Sequence, residues 1–397
     1  MDKCLFCDCE LNPGSEEHVF LSAIGGRITT RKVTCHECNK AFASDETDKV
    51  DDALAESFVL IRNGLKIWSG RQAQPPTIQK VETVGNDDEV DLAPGFVPLK
   101  RRSPIPEISP EKSRYEFTAI NEADVDWLLG IMEKRGLRGE IQSAKRVEQR
   151  GQLKLSTNFD GPKVWRCVAK SAVAGFVVLY GNANARNFIA QNVRQSIRYG
   201  KPDIQNSTGW DFTNEWPAEI TLEPHTKTPD AIASGFEHSI FVTDVREHSV
   251  AYNTFFGHWR FSVLLGGATG LQARGLAINP RATKLSRFIV KANIPQAYLP
   301  KVPGSHANEF AATSEGNTSA FNEAMKQWQE EAREVRNEQL AKELVAAIEA
   351  AGDDETCRVT AITEFARKVV LIEHGGAWEQ EMKLKLDEDH ETIEEEA

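Results

Sequence analysis

The sequence lacks any run of about 18–20 apolar residues, the length a helix needs to cross a bilayer. Its longest apolar run, "AVAGFVVLYG" at 172–181, is far shorter and reads as a segment of a buried helix. The opening residues, "MDKCLFCDCEL", show no basic start followed by an apolar stretch, so no secretory signal is expected. These absences argue against a membrane partner and for a cytoplasmic location. No G-x-S-x-G occurs, and "GGATG" at 266–270 lacks the Lys-Ser/Thr that completes a phosphate-binding P-loop, so a turn is expected there. A nucleotide-driven step would need a partner protein. No internal repeat is present.

A net positive charge is also lacking. The net charge is −12, and the one compact basic patch, "LKRRSP" at 99–104, sits in a Pro-rich stretch where it is expected to be solvated. The deficit is not evenly spread. Residues 309–397 hold 23 of the 59 acidic residues and 9 of the 47 basic ones, a balance of −14. The remaining 308 residues carry +2, so the acidity belongs to the C-terminal region. The body is therefore not closed to a nucleic-acid partner, although it shows no broad basic surface.

What is present suits a soluble α+β protein of two or three domains: 397 residues, 40% apolar and 27% charged. Four zones follow from composition. Residues 1–71 carry most of the cysteines and end in a helical run. Residues 72–115, rich in Pro and short polar residues, suggest a strand-containing linker. Residues 116–308 form a mixed α+β domain, with helices expected at 121–136, 163–182 and 185–200. An antiparallel meander is expected at 238–267, where β-branched and aromatic residues alternate. Residues 309–397 are charged and helical, ending in the acidic stretch "DEDHETIEEEA".

Five of the seven cysteines lie within the first 38 residues. Cys4-Leu-Phe-Cys7 and Cys35-His-Glu-Cys38 are two C-x2-C pairs with 27 residues between them. Each such turn aims two thiolates at one ion, and two turns complete a tetrahedral site with no open position, so a structural Zn2+ is expected. Cys9 and His36 are spare donors nearby, read as a neighbouring thiol and an exposed imidazole. Cys167 and Cys357 are isolated and expected to be buried as small hydrophobes. His238, His248 and His258 recur every ten residues and are expected to be structural.

Between the cysteine pairs stand "EEHVFLSAIGG" at 16–26 and the β-branched "RITTRKVTC" at 27–35; after them comes a helical "CHECNKAFASDETDKVDDALAESF". Strand, turn, strand and helix, tied at both ends by cysteines, resemble the HNH endonucleases of the ββα-metal fold, in their zinc-binding branch. The matching pieces are Cys4-x2-Cys7, Glu17-His18-Val19, Gly25-Gly26, Cys35-x2-Cys38-Asn39 and a helix containing Phe42. They span about residues 1–60, roughly 15% of the chain.

The resemblance implies metal-dependent hydrolysis of phosphodiester bonds in DNA, with a setting in restriction or antiphage defence. By position, His18 is the implied general base, and Glu17 and Asn39 are the implied ligands of a catalytic Mg2+ or Mn2+. Neutral imidazole suits proton abstraction near pH 7, and oxygen ligands suit a hard cation. Adjacent strand residues point to opposite faces, so a bulge or twist is expected at the pair. Two positions depart from the family pattern. Leu21 stands where many members have proline, and the central Asn has no evident counterpart, leaving Thr29, Thr30 or a backbone carbonyl in its place. The alternatives are a noncatalytic zinc-dependent interaction or regulatory protein, and a nuclease acting on RNA. A partner protein or homo-oligomer is compatible with each.

Overall fold

The computed structural model describes residues 2–11, 14–44, 49–70, 73–84, 89–100, 122–134, 152–159, 161–210, 220–224, 234–282, 285, 287–292, 310–352 and 354–374. Residues Met1–Ala324 form one compact unit and Met325–Ala397 a second.

The chain begins with the cysteine knuckle and then β1 (Ser15–His18) and β2 (Thr29–Thr34), a two-stranded antiparallel ribbon. Glu17 lies opposite Thr30 and His18 opposite Thr29, with the register shifted between Ser15 and Glu17. That irregularity is the expected bulge, placed one residue ahead of the pair. The strands are joined by a single 3-10 turn, Ser22–Ile24, closed by Gly25 at φ 90. A side chain at Gly26 would collide with the carbonyls of Phe20 and Leu21, so the second glycine serves close approach. Leu21 adopts φ −50, ψ 136, a backbone that proline also takes. Three helices follow: α1 (His36–Ser44), α2 (Val50–Ser57) and α3 (Val59–Gly64).

The Pro-rich stretch supplies β3 (Ile78–Val84), β4 (Glu89–Ala93) and β5 (Val97–Lys100). After α4 (Glu122–Lys134), β6 (Gln152–Lys154) completes a four-stranded sheet in the order β5-β4-β3-β6. Buried Asn63 fastens this sheet to α3. Its Nδ2 donates to the carbonyls of Pro76 (2.8 Å) and Leu92 (2.9 Å), and its Oδ1 accepts from the Phe96 backbone N–H (2.9 Å). Most of the basic patch at 99–104 lies outside the described residues.

α5 (Pro162–Tyr180) is the central element, with Pro at its first position and Gly181 at its end. Fourteen of its residues are buried, a load that its alanine- and valine-rich sequence predicts. The expected helix at 185–200 is instead two, α6 (Asn182–Phe188) and α7 (Gln191–Tyr199). Ile189 and Ala190 turn extended between them because the Ala190 N–H is drawn to the Leu265 carbonyl (2.8 Å). A tertiary hydrogen bond has overridden local helix propensity there.

The remaining strands are β7 (Thr208–Trp210), β8 (Ile220–Pro224), β9 (His238–Val245), β10 (His248–Phe255), β11 (Trp259–Gly267), β12 (Arg274–Ile278) and β13 (Arg287–Ala292). They pair in the order β7-β11-β10-β9-β12-β13-β8, all antiparallel, and the expected meander is β9-β10-β11. α5 lies on this sheet so closely that a side chain at Gly175 would press on Ile240. An aromatic core binds the first 60 residues to the sheet. Phe58 meets Phe159, Phe255, Phe256 and Trp259 at centroid distances of 4.8–5.5 Å, while Phe20 meets His238 and Phe255.

In "GGATG" the two leading glycines end β11 rather than form a turn, and the residues after them are clamped by Asp244, whose carboxylate accepts from the backbone N–H groups of Thr269 and Gly270. The last described elements are α8 (Phe310–Ala350) and α9 (Glu355–His374). Cys357, expected to be buried, is exposed in the first turn of α9, where its N–H donates to Asp354. The acidic stretch at 387–397 lies outside the described residues. Among the described residues no helix is long and apolar enough to cross a membrane.

Candidate active site

The two C-x2-C turns meet as their spacing requires. The Sγ atoms of Cys4, Cys7, Cys35 and Cys38 all lie within 4.8 Å of one another, and those of Cys7 and Cys35 are 3.5 Å apart. All four thiols are unbridged. A tetrahedral zinc with bonds of about 2.3 Å separates its sulfurs by about 3.8 Å, so the donor set fits that ion. Crowding already divides the protons unevenly. A hydrogen bond from Cys38 pulls Cys4 down to about 5, and that same bond raises Cys38. Burial pushes Cys7 up to about 12. A divalent cation bound here would bring all four to the thiolate. Neither Cys9 nor His36 joins this group.

The knuckle is clasped by residues far away in sequence. Asn182 Nδ2 donates to the carbonyls of Lys3 (3.0 Å) and Lys32 (2.7 Å), holding the first turn beside β2. Arg186 reaches the Cys4 carbonyl and Arg194 the Leu5 carbonyl. Both also approach the Asp8 carboxylate, at 2.8 and 3.7 Å. The guanidinium of Arg198 lies over the Phe42 ring, and its hydrogen bond to Cys38 opposes the rise in that thiol.

Glu17 is buried, with 2% of its surface exposed. Its Oε1 accepts from Lys170 Nζ at 2.9 Å, and the same ammonium touches Asp51 Oδ1 at 2.6 Å. Glu17 Oε2 is shielded from solvent and makes no hydrogen bond among the described residues. Burial raises the Glu17 carboxyl above its ordinary value, against the pull of Lys170, and the nearby Asp51 charge adds to the rise. Burial opposes the charge on Lys170 as well, but Asp51 and Glu17 outweigh it and hold the ammonium protonated.

His18, next along β1, is half-buried, with Nδ1 shielded from solvent. Asn39, the fourth residue of α1, donates from Nδ2 to Ser15 Oγ (2.6 Å) and to the Glu16 carbonyl (3.2 Å). Both bonds tie α1 to β1. Carboxylate and amide oxygens are donor types that suit a hard divalent ion. Thr29, opposite His18, donates to Glu16 Oε1 (2.9 Å), and Thr30 Oγ1 accepts from the Lys32 N–H (3.2 Å).

Lys170 and Asp51 escaped the sequence reading. A signal for Lys170 does exist: it stands alone in "VAKSAVAGF", and a lysine in so apolar a helix needs a buried partner. The three evenly spaced histidines do not converge. His238 is fully buried between backbone groups, while His248 and His258 sit near Glu247 and Glu323.

No curated protein and no solved structure matches the chain. Residues 4–59 match the family model described as HNH endonuclease, so the N-terminal module that carries the four cysteines, Glu17, His18 and Asn39 is of HNH type.

Proposed function

We propose that the protein is a metal-dependent HNH endonuclease that hydrolyses phosphodiester bonds in DNA, in the restriction or defence setting that the family resemblance implies. The observation that carries this reading is the coincidence of the family match with a folded strand-turn-strand-helix. In that fold Glu17 and His18 sit on β1 and Asn39 is tied to the same strand. The cluster of four cysteines supports a structural Zn2+.

His18 takes the proton of the attacking water through a ring nitrogen. Its imidazole, next to Glu17 on β1, is partly exposed and so open to a nucleic-acid backbone. Glu17 and Asn39 would hold Mg2+ or Mn2+, which supplies positive charge to the phosphate as negative charge builds on it. Asn39 keeps the helix and strand in one register through its two Nδ2 bonds.

The test is cleavage of plasmid DNA by purified protein with Mg2+ or Mn2+. The parent should carry about one tightly held zinc per chain. His18→Ala should keep zinc, fold and DNA affinity and lose cleavage by roughly two to four orders of magnitude, the usual worth of a general base. Glu17→Ala and Asn39→Ala should be partly rescued by extra divalent metal, because a missing ligand is not a missing base. Glu16→Ala should be nearly silent. Unimpaired cleavage by His18→Ala would overturn the assignment. A parent inert on DNA that cuts RNA, or that cuts neither, would favour the RNA nuclease or the noncatalytic zinc module.

A further inference from the structure

The Glu17 carboxylate belongs to the HNH module, but what grips it does not. Lys170 is 153 residues further along the chain, on α5, and has no exposed surface. Its ammonium meets Glu17 Oε1 on β1 at 2.9 Å and Asp51 Oδ1 on α2 at 2.6 Å. The third direction faces the Phe42 ring of α1, 5.1 Å from its centroid. Cys167, one turn earlier on α5, brings its Sγ to 3.6 Å from Asp51 Oδ1. The charged and titratable groups around Glu17 are thus drawn from β1, α2 and α5.

A bridge that served only to fasten α5 would satisfy both carboxylate oxygens, because an unpaired acceptor in a core costs free energy. Here Oε2 is buried and unbonded among the described residues. One oxygen is fixed and the other is left without a hydrogen bond. Such partners behind a metal-ligating carboxylate set its orientation and commonly change metal affinity ten- to a hundredfold.

We infer that Lys170 is a positioning residue of the cleavage centre: from outside the module it holds Glu17 through Oε1, so that Oε2 is presented to the divalent cation, with Asp51 anchoring the ammonium. The inference rests on the proposed role of Glu17 as a metal ligand.

Direct Mn2+ binding to the full, zinc-loaded chain, followed by calorimetry and by the electron paramagnetic resonance of free Mn2+, tests it without reference to cleavage. Lys170→Met should weaken Mn2+ binding ten- to a hundredfold, and Lys170→Arg should recover part of that loss. Lys170→Met with a lowered melting temperature but parental Mn2+ affinity would make the bridge structural and overturn the inference. Tighter Mn2+ binding would make Lys170 a competitor of the cation, and would overturn it equally.

Should Lys170→Met not fold, Asp51→Asn decides, since that side chain is partly exposed. A folded Asp51→Asn should bind Mn2+ several-fold more weakly, and unchanged affinity would overturn the inference. Glu17→Ala separates the two levels. If the parent and Glu17→Ala bind Mn2+ alike, the proposed ligand role fails and this inference with it. If Glu17→Ala loses the site while Lys170→Met keeps it, this inference fails alone.

Discussion

His238 has no exposed surface, accepts the Phe256 backbone N–H at Nδ1 (3.0 Å), and so donates from Nε2 to the Ile24 carbonyl (2.9 Å). It is held neutral: burial lowers it from 6.5 to about 4. The unfolded chain takes up a proton below about pH 6.5 that the folded chain refuses until about pH 4. Stability from this group is therefore complete above pH 6.5 and is lost as pH falls towards 4, by roughly 3 kcal/mol over that interval. The unfolding free energy of the parent should fall more steeply across pH 6.5 to 4 than that of His238→Gln. Carboxylates titrate in both proteins, so the difference in slope reports the imidazole alone. Parallel curves would refute the assignment.

Residues of this kind also mark what sequence reading can reach. The cluster of four cysteines, and the placement of Glu17 and His18 on one strand with Asn39 on the helix after Cys35, were legible because their grouping is local. Two residues separate each pair of thiols, and one strand or one helix carries the rest. Lys170 was not, because its partners are set by how α5 settles against β1 and α2. His238 was read as structural, but its link to the Ile24 turn exists only once the sheet has formed.

At the scale of elements, the turn that follows β1 sets the path of the whole module. Gly25 takes a left-handed backbone and Gly26 runs against the carbonyls of Phe20 and Leu21, so neither tolerates a side chain cheaply. Gly26→Ala should destabilise the protein by about 1–3 kcal/mol, the cost of forcing atoms into a filled space. Gly130, in the middle of α4 with no neighbour within 4 Å of an added carbon, is the control. Gly130→Ala should be neutral or stabilising by a few tenths to about 1 kcal/mol, since helical glycine is entropically costly. Denaturant unfolding of the two variants measures both, and equal stabilities would remove the argument for Gly26. The same turn shows why the strand-turn-strand-helix pattern was legible, since paired glycines just ahead of a β-branched segment announce a tight reversal. The break between α6 and α7 was not legible. No Gly or Pro stands at Ile189–Ala190, and the interruption comes from a strand 75 residues further on, through Leu265.

At the scale of the first unit, the HNH module is not closed on itself. Phe20 and Phe58 complete their packing on residues of β9, β10 and β11. Glu17 and Asp51 share a lysine from α5, and three side chains of α6 and α7 hold the backbone carbonyls of the cysteine knuckle and β2. A chain cut after residue 71 would expose those aromatic faces to water. It would also remove the ammonium that Glu17 and Asp51 share. Zinc binding contributes folding free energy of its own, but a bound ion organises only the knuckle and the start of α1. The fragment 1–71, purified with one equivalent of Zn2+, should therefore bind the metal yet show no cooperative thermal transition and poor dispersion of its amide resonances. The chain 1–324 under the same conditions should melt cooperatively. If the fragment instead melted in one sharp transition with a dispersed spectrum, the module would be self-sufficient. The contacts from α5, α6, α7 and the seven-stranded sheet would then add stability without being required for the fold.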